Sequence, residues 1–217
     1  RRTGAGNVGG MQIPKPTTAF EATVATATTS LLGTGGASYR TGGAEASVDT
    51  VYLGVFDRTA LESVGLFDEA LIRNQDYELN IRLRSAGHDV VFDPELSVGY
   101  QPRSTWAALT RQYFEYGTWK AIVVRKHPGS LRLRQVIPAA ATILLASSLL
   151  GAAKRPRLLF VPMAYATALA GSVAGRPLHR LRVAGVLATT HLAWGTGLIR
   201  SMLAQLSQGA AARRRPH

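Results

Sequence analysis

Residues 48–95, VDTVYLGVFDRTALESVGLFDEALIRNQDYELNIRLRSAGHDVVFDPE, decide the fold. The opening nine residues, 48–56, are β-rich and almost continuously apolar, which predicts a buried strand. Thr59, Ala60, Leu61 and Glu62 then have the form of a capping box, opening a short helix that Gly65 ends. Residues 66–75 have turn character. A second helix is predicted from about Asp76, because Leu79, Leu83 and Ala86 share one face, and Gly87 stops it. Val90, Val91 and Phe92 read as a short strand before Pro94. Strand, helix, helix, strand is the order of an α/β domain.

Working outward, residues 33–47, GTGGASYRTGGAEAS, are Gly-rich and read as a mobile loop. GTGG lacks the Lys and the spacing of a P-loop, so it is not read as a phosphate cradle. Residues 1–10 contain no apolar core of signal-peptide length. The chain starts in mid-pattern with GNVGGMQ, which suggests a piece of a longer protein. On the other side, a helix is expected from Ser104 as N-cap, with Trp106, Leu109, Tyr113 and Tyr116 on one face. Aromatic residues beside Arg111, Lys120, Arg125 and Lys126 fit a helix lying on a membrane surface. An amphipathic helix packed on the α/β domain fits the same pattern.

The 217 residues carry 25 Lys+Arg, 13 Asp+Glu and no cysteine. The absence of cysteine removes disulfide scaffolds, Cys-zinc sites and cysteine nucleophiles together. The formal charge of +12 is unevenly placed: residues 1–102 are net acidic, and Glu115 is the one acid in 103–217. A basic half points to nucleic acid or to a membrane, and the apolar pattern decides. Residues 136–153 and 158–175 are uncharged with 13 of 18 apolar positions each, and 183–199 is weaker, with 10 of 17 and His191. An 18-residue helix is roughly 27 Å long, near the thickness of a bilayer core. Lys154, Arg155, Arg157, Arg176, Arg180, Arg182 and Arg200 sit between these stretches, as charges flanking membrane spans do. That argues for membrane lipids as partners and against nucleic acid. Three spans are expected, the alternative being a buried helical hairpin.

Asp76 stands out chemically. At a helix start, the dipole and free N–H groups favour its ionised form, and an ionised carboxylate at a cleft edge can take a proton from a hydroxyl. Asp at a helix start is also an ordinary N-cap. Asp49 follows the Gly-rich loop and could face a cleft, or be a plain strand-edge carboxylate. Arg73 could contact phosphate or an acceptor, or be an exposed loop Arg. His88, His127 and His179 show no metal-ligand spacing, and His191 fits either function or a helix–helix hydrogen bond.

The ordered run Arg58 to Glu69 (RTALESVGLFDE), then Gln75 to Leu83 (QDYELNIRL), then Ala86-Gly87, resembles the later half of the catalytic domain of family 2 glycosyltransferases. The closer similarity is to the succinoglycan-type, ExoA-like subgroup. Its RNQD-x-ELN signature spans Arg73 to Asn80, and RQYFEYGTWK at 111–120, RKHP at 125–128 and HLAWGTGL at 191–198 resemble the same subgroup. This resemblance implies an inverting, membrane-anchored transferase with a GT-A fold. It would move a sugar from a nucleotide-sugar donor to a lipid-linked or polysaccharide acceptor, with the catalytic domain cytoplasmic on a multi-pass membrane protein. It places the catalytic base on Asp76, with Arg73, Asn74, Gln75 and Glu78 in the same signature; together with Asp49, Gln112 and Trp119 these form the candidate substrate-binding set. The family's Q-x-x-R-W motif has a loose counterpart in Gln112 to Trp119, without its Arg. A divalent metal, Mg²⁺ or Mn²⁺, is implied on a D-x-D motif, but none occurs here, so its ligands and the donor half are expected outside this chain. Alone, the chain is expected to be inactive. The rival reading is a non-catalytic membrane scaffold carrying a transferase-like remnant.

The expected organisation is therefore part of a GT-A domain over 1–102, an interfacial helix and basic linker over 103–132, about three transmembrane helices over 133–203, and a basic tail over 204–217.

Overall fold

The computed structural model describes residues 3–213, with side chains through Gln208. The basic tail expected over 204–217 lies outside the described residues from position 214 onward. The chain forms two compact units, Arg1–Arg103 and Ser104–His217.

The first unit is α/β. Its strands are β1 (Asn7–Pro14), β2 (Ala46–Ser47), β3 (Tyr52–Phe56) and β4 (Val90–Tyr100). They form a mixed sheet in the order β2-β4-β1-β3. β1 and β4 run parallel, while β3 is antiparallel to β1 and β2 antiparallel to β4. Helix α1 (Ala19–Thr29) and the single turns α2 (Leu31–Thr34) and α3 (Ser38–Thr41) lie between β1 and β2 in sequence, and α4 (Arg58–Ser63) and α5 (Gln75–Ser85) between β3 and β4.

Several expectations are corrected here. The strand predicted over 48–56 is shorter and is not buried: β3 is an edge of the sheet, with Leu53 and Val55 exposed. The short helix begins two residues earlier than the capping box implies. Asp57 is its N-cap, accepting from Ala60 N at 2.9 Å, and Glu62 pairs with Arg58 instead of reaching back to Thr59. The Gly-rich segment 33–47 is not featureless, since it contains α3 and β2.

β4 runs straight through Pro94, where a three-residue strand was predicted. The ladder shows why. Gly9 pairs with Phe92 and Met11 with Ser97, so residues 93–96 bulge out opposite Gly10. Proline costs nothing in hydrogen bonds where the strand has left its ladder. The Leu96 carbonyl lies over Gly10, where a Cβ would lie 2.0 Å from its oxygen.

The apolar core of this unit gathers in two clusters. Val51, Val90 and Phe92 pack with Met11, Tyr39 and Val48. Leu79 and Leu83 of α5 pack with Ala60, Phe56, Leu61 and Val64. Ala86, predicted on the same face, is instead the exposed C-cap of α5, followed by Gly87 at φ 87.

The second unit is helical: α6 (Trp106–Lys126), α7 (Leu133–Ala152), α8 (Phe160–Gly171) and α9 (Pro177–Arg213). Thr105, not Ser104, caps α6, accepting from Ala108 N at 3.2 Å. α6 packs tightly on α9 through reciprocal glycines. A Cβ on Gly117 would lie 2.0 Å from the Trp194 carbonyl oxygen, and one on Gly197 would lie 2.2 Å from that of Phe114. The face of α6 that carries Leu109, Gly117, Ala121 and Val123 is thus buried in protein.

Among the described residues, α7 alone is long and apolar enough to cross a bilayer. The segment 158–175 is split into a 3-10 turn (Pro156–Leu159) and the 12-residue α8, about 18 Å long. The segment 183–199 falls inside the 37-residue α9, where Val183, Val186 and Leu187 are buried. The three equal spans read from composition are therefore one qualifying helix, one short helix and part of a long one.

Candidate active site

α5 enters the sheet unit at its Asp76 end and leaves through Gly87 into β4. It therefore runs antiparallel to β4, and its N-terminus is directed toward the carboxyl ends of the parallel pair β1 and β4. Open α/β sheets bind ligands at those ends.

The helix start is built on an unusual residue. Asn74 is the N-cap, in the left-handed region at φ 60, and its carbonyl accepts from Glu78 N at 2.9 Å. A non-glycine residue there is uncommon, and Asn is among the types that tolerate it. Asp76 is thus two residues inside the cap. Its Oδ1 accepts from Tyr77 N at 2.8 Å. The carboxylate surface is open to solvent, yet protein crowds it closely enough that desolvation raises its pKa above the ordinary aspartate value, against the lowering effect of backbone N–H bonds. Desolvation here works against the preference for the ionised form expected at a helix start. A carboxylate so raised is a stronger base than a free aspartate and is still reachable by a hydroxyl.

The other predicted residues divide. Arg73, Asn74 and Gln75 share the turn into α5 with Asp76, Arg73 being exposed and the other two half-buried. Asp49 is half-buried just before β3. Its neighbour Thr50 accepts from Asn80 Nδ2 at 3.3 Å, so the Asp49 segment runs alongside α5. Glu78 faces inward and is 3% exposed, with both carboxylate oxygens on Arg82 at 2.8–3.0 Å. Arg82 also donates to the carbonyls of Val64 and Leu66, so this pair ties the preceding loop to the helix. Gln112 and Trp119 belong to the second unit, seven residues apart on α6 and both half-buried, with Gln112 Nε2 donating to Tyr116 Oη at 2.9 Å.

Residues not singled out from sequence are Asn7, Asn80 and Arg82. Asn80 and Arg82 both lie within the quoted motif, but only the fold shows what they touch. No three His, Asp or Glu side chains come together among the described residues.

The chain is 31% identical over 189 residues to the succinoglycan biosynthesis protein ExoA of Rhizobium meliloti (strain 1021), covering 85% of this chain and 57% of that protein. It is 33% identical over 79 residues to the dolichyl N-acetyl-alpha-D-glucosaminyl phosphate 3-beta-D-2,3-diacetamido-2,3-dideoxy-beta-D-glucuronosyltransferase of Methanococcus voltae, covering 36% of this chain and 25% of that protein. The chain thus spans little more than half the length of the first relative and a quarter of the second. No protein-family model matches, and no solved structure is significantly similar. By these two similarities the chain is of the glycosyltransferase class, and within that class it is a relative of the ExoA succinoglycan biosynthesis protein.

Proposed function

We propose that this chain carries the acceptor-side part of a membrane-associated inverting glycosyltransferase, with Asp76 as general base. The carrying observation is the Asp76 carboxylate: solvent-reachable, at the helix start facing the sheet's carboxyl edge, and held above its ordinary pKa. In the step, Asp76 takes the proton of an acceptor hydroxyl. The hydroxyl oxygen bonds to the anomeric carbon of a nucleotide-activated sugar, and the bond to the nucleoside diphosphate breaks with inversion. Arg73, Asn74, Gln75 and Asp49 are assigned to binding at the mouth of this site. Glu78 is assigned with Arg82 to holding the loop that shapes it. A lipid-linked or polysaccharide acceptor is supported by the name of the first relative, a succinoglycan biosynthesis protein.

Membrane attachment is assigned to α7. Only 17% of its apolar window is buried in the protein, and Ile137, Ile143, Leu144, Leu149 and Leu150 are exposed. A core helix would show the reverse.

The test is Asp76→Asn in the full-length protein that contains this chain, with sugar transfer from nucleotide-sugar donors as readout. The near-isosteric amide removes the base, so turnover should fall by about 10²–10⁴-fold while donor binding persists. Wild-type turnover in the variant would remove Asp76 from the mechanism.

A further inference from the structure

Side chains from three separate parts of the first unit meet beside α5. Asn7 Nδ2 donates to Asn80 Oδ1 at 2.7 Å, and Asn80 Nδ2 donates to Thr50 Oγ1 at 3.3 Å. Asn7 opens β1, Thr50 precedes β3, and Asn80 follows Asp76 by one helical turn, on the same side of α5. Asn7 and Asn80 are 1% and 0% exposed.

Two fully buried amides are a costly way to fill space that an apolar pair would fill without polar partners. The arrangement is nonetheless built for them. Gly54 faces Asn7, and a Cβ there would lie 2.0 Å from Asn7 Oδ1. That oxygen has no hydrogen-bond partner, so part of the hydrogen-bonding capacity is given up to keep the amide in place. Leu79 and Leu83 supply the apolar inward contacts of α5, and the Glu78–Arg82 pair ties it to the Val64–Leu66 turn and not to the sheet. Apolar contacts set how deeply a helix sits but are non-directional. Hydrogen bonds are directional, so the amide chain fixes rotation and register.

We propose that Asn80, held between Asn7 and Thr50, is a positioning residue that sets the register of the Asp76-bearing turn of α5 against the sheet for glycosyl transfer. This rests on the transferase reading above. The same chain of bonds ties the Asp49 segment to that turn, so both carboxylates are placed by one network.

Thr50 offers a clean test. Thr50→Val keeps the β-branched shape and deletes the acceptor of the Asn80 bond, whereas Thr50→Ser keeps the acceptor. The full-length protein that contains this chain, and its Thr50→Val, Thr50→Ser and Asp76→Asn variants, are assayed with UDP-glucose, UDP-galactose, UDP-N-acetylglucosamine and GDP-mannose, using a total lipid extract of the source organism as acceptor. Amide hydrogen exchange is followed in parallel by mass spectrometry. In Thr50→Val, kcat should fall on the order of 10- to 100-fold with donor KM unchanged, as a displaced base requires. Exchange should quicken over 74–80 and stay at the wild-type rate over 19–29. Thr50→Ser should restore both. Wild-type kcat in Thr50→Val, or equal losses in Val and Ser, overturns the proposal even if exchange changes. If Asp76→Asn is dead while Thr50→Val is fully active, only the positioning role falls. A wild-type protein silent on every donor, or an active Asp76→Asn, sinks the transferase reading and this assignment with it.

Discussion

Glu78 and Arg82 close a two-oxygen ion pair on the inner side of α5, at 2.8–3.0 Å, with Arg82 reaching on to the carbonyls of Val64 and Leu66. Their side chains are 4% and 22% exposed. Removing one partner leaves the other charge buried and frees the turn at Gly65 and Leu66, whose φ values are 86° and 62°. Arg82→Ala should therefore cost about 3 kcal/mol or more, at the lower end of the range for broken buried pairs. Arg82→Lys should recover little, because an ammonium cannot span the carboxylate and two carbonyls as a planar fork does. Denaturant unfolding reads both; a Lys variant equal to wild type would show that the fork is not needed.

The raised pKa of Asp76 has a signed consequence for stability. Between the ordinary value of 3.8 and its higher folded value, the native state holds a proton that the unfolded chain has lost. Stability from this group is therefore full below 3.8 and declines as pH rises through the folded pKa. Asp76→Asn cannot ionise and escapes that decline. The stability of the Asn variant relative to wild type should rise with pH across this window and be flat on either side. A flat difference throughout would mean that desolvation does not raise this carboxyl.

Glu21 has the opposite sign. Its carboxylate accepts from Thr17 N at 2.7 Å and Thr17 Oγ1 at 2.8 Å, and from Thr18 N in the capping box of α1. The Thr17 backbone bond first, then its hydroxyl, hold the pKa below the ordinary 4.5. This stabilisation is complete above 4.5 and is lost as pH falls through the lower folded value. The gap between wild type and Glu21→Gln should shrink as pH falls below 4.5. Acid titration of the two unfolding curves checks it; a gap independent of pH would assign the role of Glu21 to packing.

These side chains show how much could be read from sequence. α5 was legible because Leu79, Leu83 and Gly87 carry a helical period and a stop signal, whereas Asp76 was singled out as a candidate base through the family resemblance. β1 was not: in NVGGMQIP two adjacent glycines interrupt any alternation, and Gly10 is there to admit the Leu96 carbonyl from a distant bulge. The same bulge hid the length of β4, since Pro94 reads locally as a terminator. α1 is rich in Thr, a strand-favouring residue, and only its Thr18–Glu21 capping box marks it as a helix. The buried contacts of Asn7, Asn80 and Arg82 depend on which segments meet, which no local pattern records.

In the second unit the α6–α9 contact makes a sharp prediction. Gly117→Ala places a methyl against a backbone oxygen, which cannot rotate away as a side chain can. Overpacking of this kind costs about 1–3 kcal/mol. Gly171→Ala, where a Cβ meets nothing within 4 Å, is the control within the same unit. Thermal unfolding of the two variants should separate them, and equal midpoints would show that the helices part without penalty.

The exposed apolar face of α7 separates lipid from protein as its neighbour. Leu144 and Leu145 are adjacent near the middle of the 20-residue helix, but Leu144 is 58% exposed and Leu145 is 8% exposed. If the outer face meets lipid, Leu144→Arg puts a charge into hydrocarbon, at about 2.5–3.5 kcal/mol near a helix centre. That should reduce the fraction of protein resisting alkaline carbonate extraction from membranes, while Leu144→Phe leaves it unchanged. Leu145→Ala opens a cavity against the neighbouring helices, so it should lower the unfolding midpoint and leave extraction as in wild type. A Leu144→Arg protein that extracts like wild type would mean that α7 does not lie in the bilayer, and its apolar face would then have to be covered by protein.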